Sequence, residues 1–355
     1  MKPAILGFLR RLRGDAILYL LRRLGWAAIL IAGVTALSFV IAYLLPGDPA
    51  RMLVGPQASA ADVEHVRELH GLDRPVPAQF GRYLRRLVHV GPEAQGEDAR
   101  GDPAHRSCAA GPLRVHLDLG YSFHYRRPVL DLLEAKIPRS LELGLAALLV
   151  QLAIGVTLGV VAAARRGTWW DDVTVGATLL GVSAPTFVLG LILQYTLAYK
   201  LQLLPYDGYG TTGAEHLRSL VLPALTLGVF GSALYARIVR EELRVLLEQD
   251  FVRTARAKGA SRLRALLVHA LRNALVPIAT LAALDLGTLV GGAIVTEKLF
   301  RWPGVGQMAV EALQNRDGPL IVGAVLFAAT AIVLSTVALD LVYLVLDPRL
   351  QTPRR

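Results

Sequence analysis

The chain has 355 residues, of which 54% are hydrophobic and 19% charged, and its mean hydropathy is +0.45. A soluble domain of this size needs more polar surface to cover its core, so the composition indicates an integral membrane protein. In a soluble chain the net charge of +10 would suggest nucleic-acid binding. Here the basic residues flank apolar runs, which argues against nucleic acid as a partner and favours a role in membrane orientation.

Six apolar runs are long enough to cross a bilayer, which takes about 20 residues. In chain order they cover residues 24–45, 140–164, 173–199, 220–236, 274–296 and 320–346. The N-terminal segment 1–23 is basic and lacks a small-residue cleavage pattern, so we expect it to be retained. The sequence therefore predicts an all-α membrane protein with six transmembrane helices: the first, 24–45, and five more in a core over 139–346.

Charge in the short loops predicts the orientation, because cytoplasmic loops collect lysine and arginine. The basic segments precede the first run, lie between the second and third and between the fourth and fifth, and follow the sixth. All of them fall on one side if both termini are cytoplasmic. The tail 347–355 is then cytoplasmic, and the long polar stretch 46–138 is an extracytoplasmic loop.

Within that extracytoplasmic loop, an apolar stripe predicts a helix over 59–72. Glycine, proline and charged residues at about 89–116 indicate a flexible insertion. His89, His105, Cys108 and His116 fall there, with His124 just beyond, but their spacing is irregular and we predict no metal site. Cys108 is the sole cysteine, so the chain cannot form an internal disulfide.

The cytoplasmic loop 237–273 carries two apolar stripes at helical spacing on either side of Gly259. The first contains Leu243, Leu246, Leu247 and Phe251, and the second contains Leu263, Leu266, Leu267, Leu271 and Ala274. Gly259 can adopt a positive φ, and Ser261 can cap the second helix. The pattern predicts a basic helix–turn–helix hairpin under the membrane; composition alone also fits an interfacial helix pair that touches lipid head groups.

Two stretches of this loop have a specific residue order. They are Phe251-Val252-Arg253-Thr254-Ala255-Arg256-Ala257-Lys258-Gly259-Ala260-Ser261 and His269-Ala270-Leu271-Arg272-Asn273-Ala274-Leu275-Val276-Pro277. They resemble the cytoplasmic signature loop of ABC importer permeases, most closely the dipeptide, oligopeptide and nickel branch. Gly259, Ala255 and Leu271 match the general pattern. Arg253, Thr254, His269 and Arg272 depart from it, as members of the peptide-type branch do.

The resemblance extends over most of the chain, from about residue 20 to 349. The similar segments are Leu45–Pro49, Leu117–Phe123, Ser183–Phe187, Leu203–Pro205, Glu297–Gly306 and Asp340–Arg349. The resemblance implies the type I ABC importer permease fold. It also implies a transport subunit for di- or oligopeptides, with nickel complexes or glutathione as alternative substrates, in a bacterial inner membrane.

In this family the glycine-centred hairpin is a coupling helix that docks on a separate ATPase. The expected coupling residues are Arg253, Thr254, Ala255, Arg256, Lys258, Gly259, Ala260 and Ser261. The chain has no G-x-x-x-x-G-K-[ST] loop, so we expect it to bind no cofactor and ATP and Mg²⁺ to act on the partner subunits. The implied partners are a second homologous permease, two ATPase subunits, an extracytoplasmic substrate-binding protein and membrane lipid.

Three further features indicate functional positions. Pro185 interrupts the third run and predicts a pore-lining bend, or an ordinary membrane-helix kink, with Thr186 and Phe187 near a gate. Asp285 lies deep in the fifth run, where an ionisable group faces either the translocation path or a partner such as the sister permease. Trp302, Pro303 and Gly304 form the expected contact for the binding protein.

Two other functional classes fit the sequence less well. A stand-alone secondary transporter would need its own ion-coupling site and often has an inverted repeat, and the sequence shows no repeat. A membrane-embedded hydrolase would need a motif such as G-x-S-x-G or H-E-x-x-H, and neither occurs. We therefore expect no enzymatic activity in this chain.

Overall fold

The computed structural model describes residues 14–44, 48–55, 57–70, 72–90, 108–110, 115–183 and 185–346. The expectations for the first 13 residues, for the tail 347–355 and for most of the insertion lie outside this set. The chain divides into two compact units. One contains 141–302 with both chain ends (1–24 and 331–355), and the other contains 25–140 and 303–330.

Five helices in the described part of the chain are long and apolar enough to cross a membrane, judged by length and composition. They are α1 (Gly14–Leu44), α5 (Val129–Ala164), α8 (Gly213–Leu247), α10 (Arg262–Gly292) and α13 (Gly318–Leu346). They correspond to the first, second, fourth, fifth and sixth predicted runs. Helix α8 starts at a capping box, in which the Thr212 hydroxyl accepts from the Glu215 amide.

The third predicted run is broken at Pro185, as the sequence predicted, and neither of its parts is among the five membrane-length helices. It is split into α6 (Trp169–Ser183) and α7 (Thr186–Leu193), and α7 continues as a π-helical section over Gln194–Lys200. Pro185 stands at the break with φ −61° and ψ 135°. Proline has no amide hydrogen to continue a helix ladder, so it starts α7 instead of continuing α6.

The predicted extracytoplasmic loop contains three short helices. They are α2 (Pro49–Val54), α3 (Ala60–His70) and α4 (Val76–Leu87). Helix α3 confirms the helix predicted over 59–72. Its first turn is fixed by Ser59, whose hydroxyl donates to the Asp62 carboxylate at 2.7 Å, and Asp48 caps α2 by accepting from the Ala50 amide at 3.1 Å.

A small antiparallel sheet, which the sequence did not predict, follows these helices; the remaining elements of the described residues are helical, as predicted. Its strands are β1 (Val88–Val90), β2 (Cys108–Ala110) and β3 (Val115–Asp118), with β3 in the centre. Val88 pairs with Leu117, and Cys108 pairs with Asp118. The strands have three or four residues each, too few for an alternating pattern to stand out. Strand β2 lies within the segment predicted as a flexible insertion, and β1 and β3 overlap its two ends.

The unit that contains 25–140 and 303–330 has its core where the start of α5 meets α12 (Val305–Gln314) and the start of α13. The buried side chains there include Leu119, Val129, Leu133, Met308 and Leu320. Asp317 is fully buried and accepts hydrogen bonds from the Ser122 hydroxyl at 2.5 Å and the His124 amide at 3.0 Å. These bonds tie the loop after β3 to the start of α13.

In the other unit, α5, α8 and α10 share a core that includes Tyr235, Val239, Leu243, Leu266 and Ala274. A second cluster packs α7 and α8 against Phe300, which follows the short helix α11 (Ile294–Leu299). Near the chain ends, Arg23 of α1 pairs with Asp340 of α13 at 2.9 Å. This ion pair gives Asp340 a structural role.

Candidate functional site

The basic loop between α8 and α10 contains one short helix, α9 (Asp250–Ala257). After α9 the chain reverses at Gly259, which has φ +93° with no atom within 4 Å of a built Cβ. The Gly259 amide donates to the Arg256 carbonyl at 2.9 Å and the Ala260 amide to the Ala255 carbonyl at 3.1 Å, so the turn satisfies the last carbonyls of α9. The positive φ predicted for Gly259 is confirmed.

The predicted cap at Ser261 is confirmed as well. Its backbone is extended, and its hydroxyl accepts from the Arg264 amide at 3.3 Å at the start of α10. Helix α10 contains a π-helical section over Ala265–Ala270 before it continues as a regular helix. The second helix of the predicted hairpin is therefore the first turns of a membrane-length helix.

The first predicted helix of the hairpin is corrected in its extent. Leu243, Leu246 and Leu247 belong to the end of α8, and Phe251 belongs to the separate helix α9. Leu243 is fully buried, whereas Phe251 is 42% exposed, so the two do not share a buried face. The predicted stripe spans the break at Glu248 and Gln249, and apolar spacing alone did not reveal that break.

Helix α9 has one buried and one exposed face. Val252 is buried and α9 contacts the π-helical section of α10, which fixes its inner face. The outer face carries Arg253, whose side chain is 73% exposed and lies 3.7 Å from Asp250. Arg256 and Lys258 are also exposed. The result is a short, anchored helix with an exposed basic face.

A pocket of about 580 Å³ lies beside α9, where the ends of α5 and α8 meet the beginning of α10. We name it the basic pocket. Its lining is made of Ala163, Ala164, Arg165, Arg166, Arg244, Leu247, Glu248, Val252, Arg256, Arg262, Leu263, Ala265 and Leu266. The lining thus contains five arginines and one glutamate. Sequence reasoning missed this pocket because its residues come from three separate segments of the chain.

An ion pair next to the basic pocket positions the loop after α5. The Asp171 carboxylate accepts from Arg240 Nε at 2.5 Å, and it also accepts from the Gly167 amide at 3.2 Å. Both side chains are largely buried, with 6% of Asp171 and 14% of Arg240 exposed. The hydrogen bond from Arg240 lowers the pKa of Asp171 below its ordinary value, so the carboxylate stays charged at neutral pH.

The expected pathway residues lie on two different helices. Thr186 and Phe187 form the first turn of α7, directly after Pro185, and Phe187 is 47% exposed. Asp285 lies within α10, half-buried, and interacts electrostatically with Tyr235 of α8. Tyr235 is fully buried. This contact gives Asp285 a partner within its own chain, in addition to the two roles considered from the sequence.

The segment expected to contact the binding protein is mostly buried. The Trp302 side chain is fully buried and packs against Tyr209, with ring centroids 4.8 Å apart and the ring planes tilted by 57°. Gly304 is buried too and Pro303 is half-buried. In this conformation Trp302 offers no surface to a partner, and the exposed neighbour is Arg301, with φ +49° and a 3.2 Å ion pair to Asp207.

Next to Trp302, the side chains of Glu142, Tyr209 and His216 lie close together, which the sequence did not predict. His216 Nε2 lies 2.5 Å from Glu142 Oε1, and the Tyr209 hydroxyl donates to Glu142 Oε2 at 3.3 Å. His216 Nδ1 also lies 2.8 Å from the Tyr209 carbonyl. Glu142 lies in the apolar helix α5, and its partners are more than 60 positions away in the sequence.

No group of three or more His, Cys, Asp or Glu side chains that could hold a metal ion occurs within the described ranges. His105 lies outside those ranges, so the cluster considered in the insertion stays untested.

Comparisons with known proteins cover nearly the whole chain. A profile of the family described as "Binding-protein-dependent transport system inner membrane component" matches residues 155–352. A second profile, "Binding-prot-dependent transport system membrane comp, N-term", matches residues 16–144.

Several curated proteins are similar over their full length. The dipeptide transport system permease protein DppB of Escherichia coli K12 is 33% identical over 361 residues, covering 94% of this chain and 98% of that protein. The probable D,D-dipeptide transport system permease protein DdpB of the same strain is 36% identical, covering 93% and 97%. The glutathione transport system permease protein GsiC of Escherichia coli O6:H1 is 35% identical, covering 90% and 94%.

Among solved structures, the chain is similar to one from the inward-facing MetNI methionine ABC transporter. The TM-score is 0.47 at 18% identity, with 64% of this chain and 99% of that chain covered.

Proposed function

This chain belongs to the family of binding-protein-dependent transport system inner membrane components, and on that premise we propose that it is an import permease for short peptides. It is the permease subunit of an ABC transporter and not a catalytic ATPase. Its similar proteins are named for transport of dipeptides, D,D-dipeptides and glutathione. All three are short peptides, so the proposed substrate class is a di- or oligopeptide, with glutathione within that class and a nickel complex as the alternative.

The proposed mechanism of coupling depends on the hairpin around Gly259. Helix α9 is attached to α8 and to α10 by short connections, at 248–249 and 258–261. Both of those helices are of membrane length. A push on α9 from a closing pair of ATPase subunits would therefore move two spans directly, which suits alternation between inward-open and outward-open states.

The contacts of α9 support docking on an acidic partner. Val252 holds the inner face, so the exposed Arg253, Arg256 and Lys258 are free to meet carboxylates of an ATPase cleft. Thr254, Ala255, Ala260 and Ser261 complete the proposed coupling segment. Such charge pairs between subunits guide association and fix orientation more than they add affinity.

The proposed assembly contains this chain, a second homologous permease, two ATPase subunits with ATP and Mg²⁺, and an extracytoplasmic binding protein. Both termini are cytoplasmic in this arrangement, and the two permeases share the translocation path. Phe187 and Asp285 are the proposed pathway residues of this chain. Arg301 and Pro303 form the proposed contact for the binding protein, with Trp302 and Gly304 as the buried support.

The test replaces Gly259 with valine. A β-branched residue at φ +93° is strained by about 1–2 kcal/mol, enough to shift the turn between α9 and α10. We expect binding-protein-stimulated ATP hydrolysis in the assembled transporter to fall about tenfold while the basal rate persists. Gly55→Val is the matched control, because Gly55 has φ +98°, equally open space and a position in the predicted extracytoplasmic loop.

Two results would contradict the proposal. One is a Gly259→Val transporter that is stimulated as strongly as the wild type. The other is solute movement by the purified chain in vesicles that contain no ATPase, which would indicate a stand-alone secondary transporter.

A further inference from the structure

The basic pocket is lined by arginine side chains and by an apolar surface, called its floor. Its cations come from the turn after α5, the last turn of α8, α9 and the first turn of α10. Its floor is made of alanine, leucine and valine side chains, among them Val252 and Leu266, which are almost fully buried. A volume of about 580 Å³ is within the usual range for small-molecule sites.

Three of the five arginines lack a close carboxylate partner in the described part of the chain. Arg244 reaches Glu241 only at 3.8 Å, Arg165 lies over the Trp170 ring at 5.0 Å from its centroid, and Arg256 makes no ion pair there. The other two arginines have close partners. Arg166 pairs with Glu248 at 2.7 Å, and Arg262 donates to the Ala164 carbonyl at 3.1 Å.

The arginines are only partly explained by the helices that end beside them. The carboxyl ends of α5 and α8 attract cations, and this effect contributes to the placement of Arg165, Arg166 and Arg244. It gives no reason for an open cavity between them or for its apolar floor. A ligand with an anionic head and an apolar portion satisfies both features.

We propose that the basic pocket binds a phosphate ester, held by Arg165 and Arg244. The planar guanidinium forms paired hydrogen bonds with phosphate oxygens, and several arginines around one cavity suit a group with multiple acceptors. This inference rests on the cytoplasmic side proposed for the hairpin. On that side the pocket lies at the level of the inner-leaflet head groups, and the ligand is the head group of an anionic phospholipid.

Lipid on the outer rim of the pocket agrees with the exposed apolar residues that follow it on α10. Leu263 is 63% exposed, Leu267 42% and Val268 51%. An acyl chain next to the head group covers such residues, whereas free phosphate does not. Experiments with lipid and with inorganic phosphate distinguish a phospholipid head group from free phosphate as the ligand.

The test measures lipid retention by the full-length chain in its assembled transporter. Complexes are released from nanodiscs of phosphatidylcholine and phosphatidylglycerol in equal parts, and bound lipids are counted by native mass spectrometry. We expect the wild type to retain phosphatidylglycerol and the R165Q/R244Q variant to lose about a hundredfold in its affinity, since it lacks two charged hydrogen-bond donors. Neither residue belongs to the proposed coupling segment.

Two further variants act as controls. Arg264→Gln removes an exposed charge from the first turn of α10, outside the pocket lining, and should bind phosphatidylglycerol as the wild type does. R165K/R244K keeps both charges without the guanidinium fork, so it should retain part of the affinity. A thermal melt of each variant shows that the fold is intact.

A parallel measurement titrates inorganic phosphate into the same complexes, followed by phosphorus NMR. Saturable, arginine-dependent phosphate binding without lipid selectivity would support the pocket and assign a free phosphate as its ligand. Equal phosphatidylglycerol retention by wild type and R165Q/R244Q, without phosphate binding, would overturn the inference. If R165Q/R244Q instead loses its ATPase subunits with lipid retention unchanged, the arginines dock a protein. The Gly259→Val result is independent of each of these outcomes.

Discussion

The ion pair between Asp171 and Arg240 is largely buried, with 6% of the Asp171 side chain and 14% of the Arg240 side chain exposed. It links the first turn of α6 to α8, and the same carboxylate also holds the Gly167 amide in the turn before α6. Removing one member of such a pair leaves the other charge without its partner, and this loss is more costly than the net value of the intact pair. Asp171 therefore orders the turn that carries Arg165 and Arg166 of the basic pocket.

The first prediction concerns Asp171→Asn. Because the pKa of Asp171 is lowered in the folded state, its contribution to stability is present above the unfolded pKa, about 4, and is lost as the pH falls through the folded value. We expect a loss of about 2 kcal/mol at neutral pH. The difference in melting temperature between wild type and variant should shrink as the pH falls below 4.

The control for this prediction is Asp250→Asn. Asp250 has a side chain that is 97% exposed and a loose ion pair at 3.7 Å, so its replacement should leave the melting temperature unchanged. A difference between wild type and Asp171→Asn that stays constant with pH would contradict the stated role of the carboxylate.

Single residues were predictable from the sequence where their conformation is set locally. Gly259 and Ser261 are such cases, because a positive φ and a helix cap depend on a few neighbouring residues. The partners of Glu142 and the members of the basic pocket were not predictable. They come together through the packing of distant helices, and a single sequence records no such contacts.

At the scale of elements, α5 and α8 approach each other through glycines. A Cβ at Gly155 would lie 2.5 Å from Tyr235 Cβ, and one at Gly159 would lie 2.6 Å from Val239 Cβ. The two glycines are four positions apart and so share one face of α5. Small residues at this spacing allow membrane helices to pack with their backbones close together.

The second prediction concerns Gly159→Ala. Its methyl group would also lie 2.8 Å from the Ala236 carbonyl oxygen, so α5 and α8 must separate. We expect the purified protein to lose about 1–3 kcal/mol, measured by thermal unfolding in detergent. Gly33→Ala in α1 is the control, since nothing lies within 4 Å of its built Cβ and alanine favours a helix. A Gly159→Ala protein as stable as the control would contradict the close packing.

Element types were better predicted than element boundaries. The long apolar runs identified five membrane-length helices, because composition over about 20 residues is a strong signal. The hairpin was divided in the wrong place, because α8 continues past its apolar run to Leu247 on a face buried by protein. The Gly155 and Gly159 spacing was visible in the sequence, but the helix that it packs against was not.

At the scale of the whole molecule, the number of crossings depends on the broken third run. Five crossings would put the two termini on opposite sides, whereas the basic loops predict the same side for both. The number of crossings agrees with the predicted orientation if α6 and α7, with its π-helical section, cross the membrane together. Neither helix is of membrane length alone. A proline break is tolerated within a membrane where neighbouring protein satisfies the freed backbone groups.

The third prediction tests this crossing with single cysteines, after Cys108, the sole cysteine, is replaced by alanine. Arg166→Cys precedes α6, Lys200→Cys ends the π-helical section and Gln249→Cys follows α8; all three positions are exposed. A membrane-impermeant maleimide should label position 200 from outside, and positions 166 and 249 only after the membrane is opened. If the broken run does not cross, positions 166 and 200 will label from the same side, and position 249 from the opposite side. That result would place the two basic loops on opposite faces, and the hairpin and the basic pocket could not both meet cytoplasmic partners.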